Sequence, residues 1–92
     1  MNINQNIIIK DGVFTQKIDD DMVLLDRESE NYFGLDEVAS RIWKALEETS
    51  SLMEVLNILI DEYEVEKKIL EHDIIIFVTE LEKNGLVKVV EN

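Results

Sequence analysis

The 92-residue chain has no cysteine and no proline, only three glycines and one histidine, and nine Lys plus Arg against 21 Asp plus Glu. Without cysteine neither a disulfide framework nor a thiolate metal site can form, which fits a reducing compartment, and the cytoplasm is the expected location. A Gly-rich phosphate loop and HExxH-type spacing are both missing, which excludes most nucleotide, zinc and nucleophilic chemistry and leaves no cofactor to expect. Long hydrophobic runs are missing as well. The opening MNINQNIIIKDG has no basic region followed by an apolar one, and no stretch approaches about 18 uncharged apolar residues, so neither secretion nor a membrane span is expected. With no repeat and no low-complexity linker, residues 1–92 read as one domain whose polar first six residues are frayed.

The shortage of cations leaves a net charge of −12 spread over the chain. Such a surface repels phosphate, which disfavours a nucleic-acid partner and attracts a basic peptide or a basic protein surface. The plainer alternative, that the acidity only keeps a small protein soluble, stays open at this point.

What is present is apolar density, 46% of the residues, enough for a single small core. The chain is organised around Val23 to Leu46. Val23-Leu24-Leu25 is a short apolar run, Asp26 to Ser29 is turn chemistry, and Glu30-Asn31-Tyr32-Phe33 is an aromatic strand ending at Gly34. A helix follows, about Asp36 to Glu48, with Asp36 as N-cap and with Val38, Ala39, Ile42, Trp43 and Leu46 as its core stripe around Trp43. Upstream, Ile7-Ile8-Ile9 and the alternating Val13 to Ile18 read as two strands or as one bent strand. Asp19-Asp20-Asp21 marks a turn, and it lacks the glycine and distal glutamate of a calcium loop.

Downstream, Ser51-Leu52-Met53-Glu54 has capping-box spacing and starts a second helix running to about Tyr63. A third helix, about Glu66 to Asn84, stops at Gly85, a typical residue just past a helix end. Leu86 to Val90 is a last short strand or an extended tail. The third helix carries two apolar faces. Leu70, Ile74, Phe77 and Leu81, with Val78, suffice to dock it, whereas Ile69 and Ile76 lie on a separate face with Asp73 and Glu80 and with His72 at its margin. Either the first strands of the sheet cover that second face or it is a partner groove rimmed by acids. Catalysis is not expected. The serines fall at turns, caps or a helix surface with no evident base, carboxylate pairs such as Glu47 and Glu48 are too common here to select anything, and His72 reads as a surface residue.

The order Tyr32-Phe33-Gly34-Leu35-Asp36, then Ala39, then Ile42-Trp43, with the preceding MVLLDRESE and the closing LEKNGLV, resembles the PqqD-like family. These are the precursor-peptide recognition elements of ribosomally made, modified peptides. The likeness runs from about Val13 to Val90. Stand-alone size and the YFGLD…IW wording look most like the small recognition proteins of lasso-peptide biosynthesis, which work with a separate leader peptidase.

The resemblance implies an α+β, winged-helix-like fold, an N-terminal three-stranded antiparallel sheet packed on three helices. It implies a non-catalytic binder in which the leader segment of a precursor peptide adds as a strand to the third strand, about Glu30 to Gly34. The leader's apolar side chains then enter a cleft walled by the third helix, a case of β-augmentation. Carried onto this sequence, the peptide-binding residues are Glu30, Asn31, Tyr32 and Phe33 on the strand and Ile69, His72, Asp73, Ile76 and Glu80 on the helix. The backbone of Asn31 to Phe33 would pair with the leader, Phe33 and Leu35 would enter the core, and Tyr32 would stand nearer the peptide. The partners implied are the leader segment and a leader peptidase or other modifying enzyme, with the domain a monomer or a weak dimer through an edge strand. The alternatives are a PqqD-type chaperone that presents a precursor to a radical enzyme and, remotely, a winged-helix DNA-binding regulator, which the charge and the lack of a basic recognition helix oppose.

Overall fold

Five strands and three helices follow one another in the computed structural model, which describes residues 1–90. They are β1 (Asn6–Ile9), β2 (Val13–Ile18), β3 (Asp21–Asp26), β4 (Tyr32–Leu35), α1 (Glu37–Glu48), α2 (Leu52–Ile60), α3 (Lys67–Lys83) and β5 (Val87–Val90). The architecture is α+β, with a three-stranded antiparallel sheet in the order β2-β3-β4 and a two-stranded antiparallel sheet of β1 and β5.

Residues 7–18 are two strands, and they belong to different sheets. Gly12 makes the division possible, because it turns the chain at φ +87°, a conformation that L side chains rarely adopt. The tail from Leu86 becomes a strand because Asn6 to Ile9 pair with Val90 to Val87, which buries Ile7 and Val87. The first residues, expected to fray, make contacts in the structure. Asn2 N–H donates to Gln5 Oε1 at 2.9 Å, Leu52 N–H donates to the Gln5 carbonyl, and Ile3 packs against the core.

The helices begin where their capping chemistry directs. Asp36 Oδ1 accepts the Ala39 N–H at 2.7 Å and opens α1. Ser51 Oγ accepts the Glu54 N–H, but the Glu54 carboxylate takes the Thr49 hydroxyl at 2.7 Å instead of returning to the Ser51 N–H, which itself donates to Thr49 Oγ1. The expected box is therefore routed through Thr49. α2 ends at Ile60, short of Tyr63, and the Glu62 and Tyr63 N–H groups both turn back onto the Leu59 carbonyl. α3 closes with Leu86 N–H on the Leu81 carbonyl and Gly85 N–H on the Glu82 carbonyl, with Gly85 at φ +72°. That double bond pattern, with Leu81 and Leu86 both buried, is the left-handed stop that glycine favours.

The core lies where β1, β3 and β5 meet the three helices. Trp43 is its largest fully buried side chain, joined by Leu24, Ile42, Leu46, Leu56, Leu59 and the α3 residues Leu70, Ile74, Val78 and Leu81. Three expectations need correction. Val38 is exposed and Ala39 only half-buried, so the α1 stripe is wider than the core that covers it. Phe77 is half-buried, on the margin of the docking face of α3. In β2 the alternation does not bury a face, because Phe14 and Ile18 point to the side of the sheet away from the helices and stay exposed.

Candidate functional site

β4 is an edge strand. Its register with β3 sets Leu25 opposite Tyr32, Leu24 opposite Phe33, Val23 opposite Gly34 and Met22 opposite Leu35, and β3 lies between it and β2. Asp26 N–H donates to the Asn31 carbonyl at 3.0 Å, and on the other side of β3 Arg27 N–H donates to the Gly12 carbonyl at 3.1 Å. Because ladder bonds alternate along an antiparallel pair, Asn31, Phe33 and Leu35 turn their polar groups toward β3, and Tyr32 and Gly34 turn theirs outward. The free main-chain donors and acceptors of the edge are thus on Tyr32 and Gly34, displaced by one residue from the Asn31-to-Phe33 expectation. Such an edge accepts another extended chain.

α3 runs beside this edge in the opposite direction, and the space between them is a groove of about 400 Å³. Phe33 enters it from β4 and meets Phe77 of α3 with ring centroids 6.4 Å apart. Val38, Ala39 and Ile42 of α1 line its floor, and Ile76 stands on the α3 wall, half exposed at 50%. Asp36, Asp73 and Glu80 line it as well, with no Lys or Arg among the lining residues. A smaller hollow of about 230 Å³ continues along the strand, bounded by Glu30, Asn31 and Tyr32 and by Asn84 and Leu86 at the end of α3, and Phe33 borders both. Strand edge, apolar floor and acidic rim therefore form one trough about as long as β4.

Of the residues expected to bind peptide, Phe33, Asp73, Ile76 and Glu80 meet in the main groove, and Glu30, Asn31 and Tyr32 meet in its continuation. Ile69, 52% exposed, extends the same α3 row beyond the groove, and His72 also lies outside both hollows. Leu35 is buried in the core and Phe33 packs against it, as expected, but Phe33 also borders the groove, whereas Tyr32, 74% exposed and expected nearer the peptide, lies on the outer face of the sheet. Neither the sheet nor β1 covers Ile69 and Ile76, so the open alternative at that face resolves as an uncovered surface. Sequence reasoning missed Asp36, Val38, Ala39, Ile42 and Phe77. The available signal was the width of the α1 stripe, too broad for one partner helix, and Phe77 beside Ile76 at the junction of the two α3 faces.

The start of the edge strand is held by Asp26, a buried carboxylate. Its Oδ2 accepts from Lys10 Nζ at 2.9 Å and from Ser29 Oγ at 3.0 Å, and its Oδ1 accepts the Glu28 N–H. The contact ties the end of β1 to the turn between β3 and β4, where Glu30 is held at φ +61°. The hydrogen bond from Lys10 is the main cause that keeps the Asp26 carboxyl below its usual value, and the same bond raises Lys10.

A second hollow of similar size, about 380 Å³, lies under the sheet against α1, with Thr15, Met22, Leu35 and Trp43 along it. It spans three strands from below instead of following an edge, and its rim mixes Arg41 and Lys44 with Glu37 and Glu47. No helix among the described residues is long and apolar enough to cross a membrane.

The chain has known relatives. The family model described as coenzyme PQQ synthesis protein D (PqqD) matches residues 21–87. A solved structure described as TbiB1 in complex with the TbiA(beta) leader peptide is 37% identical, with a TM-score of 0.79 over 91% of this chain and 98% of that one. A lasso peptide synthetase B1 complexed with the leader peptide is 34% identical, with a TM-score of 0.78 over 90% of this chain and 98% of that one. The search of curated proteins gave no match.

Proposed function

The chain belongs to the PqqD family, and on that premise we propose that it is a non-catalytic leader-peptide-binding protein for a ribosomally synthesised, modified peptide, most closely of the lasso-peptide kind. The observation that carries this reading is the open β4 edge lying alongside the uncovered apolar row of α3. A disordered leader adds as a strand outside β4 and pairs with the outward N–H and C=O groups of Tyr32 and Gly34. Its alternate side chains fall between Phe33, Phe77 and Ile76. Asp36, Asp73 and Glu80 favour Lys or Arg at the ends of the bound segment. The leader loses its conformational freedom on binding, and the attached core peptide is held at high local concentration for the leader peptidase or other modifying enzyme.

The test is a titration of the protein with a fluorescent synthetic leader from the precursor encoded beside it, at two salt concentrations, with Ile76→Asp in parallel. Saturable binding that the folded variant loses supports strand addition in the trough. Binding indifferent to Ile76→Asp would move the site elsewhere.

A further inference from the structure

Gly34 has no evident role in the free fold. Its backbone is not in the left-handed region, where Gly12 and Gly85 are found, and a Cβ built on it meets nothing within 4 Å. Neither a turn nor a close approach calls for glycine here, and inside a strand glycine is less favourable than residues with a side chain, because it loses more backbone freedom and packs nothing. It also sits at one of the two edge positions whose N–H and C=O face outward.

By alternation its missing side chain would lie on the face of the sheet away from α3, beside Val23 on the neighbouring strand and between Tyr32 and the start of α1. That face is mostly apolar near Gly34, although Gln16 stands opposite Val23 in the same cross-strand row. Phe14, Leu25 and Tyr32 form one cross-strand row on it, with Phe14 and Tyr32 exposed and the Arg27 guanidinium 5.2 Å from the centre of the Phe14 ring. A strand added outside β4 places the side chain of the residue opposite Gly34 on this same face, where bare backbone leaves open space at the strand edge beside Val23, which is itself buried. A large side chain, aromatic above all, covers an edge glycine by lying across it.

We propose that Gly34 is a specificity determinant of the trough, a notch that takes a large apolar, preferably aromatic, side chain from the leader residue paired opposite it. This rests on the strand-addition reading and extends it, since the leader is then read on both faces of the sheet. Residues at alternate positions enter the groove against α3, and the residue between them crosses Gly34 on the outer side.

The experiment uses Gly34→Ala and Gly34→Val, the same synthetic leader, and a series of that leader with alanine at each position in turn. Both variants should fold, with unfolding temperatures at or above that of the unsubstituted protein, because the added atoms meet open space. Gly34→Val should bind the leader about tenfold or more weakly, and Gly34→Ala should fall between. At one large apolar leader position the alanine peptide should bind Gly34→Val and the unsubstituted protein alike, which marks that residue as the occupant of the notch. Binding of Gly34→Val within about twofold of the unsubstituted protein, or an equal loss for every peptide of the series, overturns the notch. If Ile76→Asp abolishes binding and Gly34→Val does not, the notch alone falls. If the unsubstituted protein does not bind the leader, or Ile76→Asp binds it unchanged, strand addition fails and the notch fails with it.

Discussion

The buried row of α3, Leu70, Ile74, Val78 and Leu81, and its exposed row, Ile69, Asp73, Ile76 and Glu80, are built on the same helical repeat and differ in what faces them. The buried row meets α2, β5 and the Trp43 core, and it contains no polar residue. The exposed row alternates isoleucine with carboxylate and faces the free edge of β4. An apolar residue on a small domain can therefore serve the fold or await a partner, and the neighbouring charges distinguish the two. Burying Asp73 and Glu80 unpaired would be costly, so this row cannot close onto its own core, and its isoleucines remain available to a chain that brings cations with it.

Substitutions should separate the rows. The largest effect is expected at Ile74→Ala, which should destabilise the domain by about 2–5 kcal/mol, a large share of the roughly 5–15 kcal/mol of a typical domain, measured by urea denaturation. Ile76→Asp, two residues away, should change stability by no more than about 0.5 kcal/mol and weaken leader binding by about tenfold or more. If Ile76→Asp unfolds the protein, the two rows are not distinct.

Asp26→Asn touches neither row, and its effect should depend on pH. The Asp26 pKa is lowered in the folded state, so its contribution is fully present above the ordinary aspartate value near about 4 and is lost as pH falls through the lower folded value. The unsubstituted protein should therefore lose stability across that acid range, and the variant should show a flatter limb there in thermal unfolding followed against pH. The smallest effect is expected from Asp73→Asn with Glu80→Gln. Each exposed charge pair is worth about 0.2–1 kcal/mol, so affinity should drop a few fold at low salt and hardly at all at high salt. An unchanged salt dependence would remove the acidic rim from recognition.

Much of this molecule can be read along the chain. The caps at Asp36 and Ser51, the stop at Gly85 and the double face of α3 follow from side-chain chemistry within a few residues, and each has its expected place. The groove was legible in part, because Ile76, Asp73 and Glu80 stand at helical spacing. Its floor was not. Val38, Ala39 and Ile42 have the pattern of core residues, and only the distance at which β4 stands from α3 decides that one side of that stripe stays open. Tyr32 and Phe33 were undecidable for a related reason. Strand periodicity says that they face opposite ways, and only the register with Leu24 and Leu25 says which of them turns toward the helices.

By itself the sequence determined the three helices, the starts of α1 and α2, the stop at Gly85 and the acidity that turns phosphate away, since these depend on local hydrogen bonding, periodicity and net charge. The tertiary structure decided that β1 closes on β5, that β4 is left as an edge with Tyr32 and Gly34 facing out, and that Phe33 meets Phe77 across the groove. Those outcomes depend on which distant segments pair, and pairing is settled by burial summed over the whole core, which no local window contains.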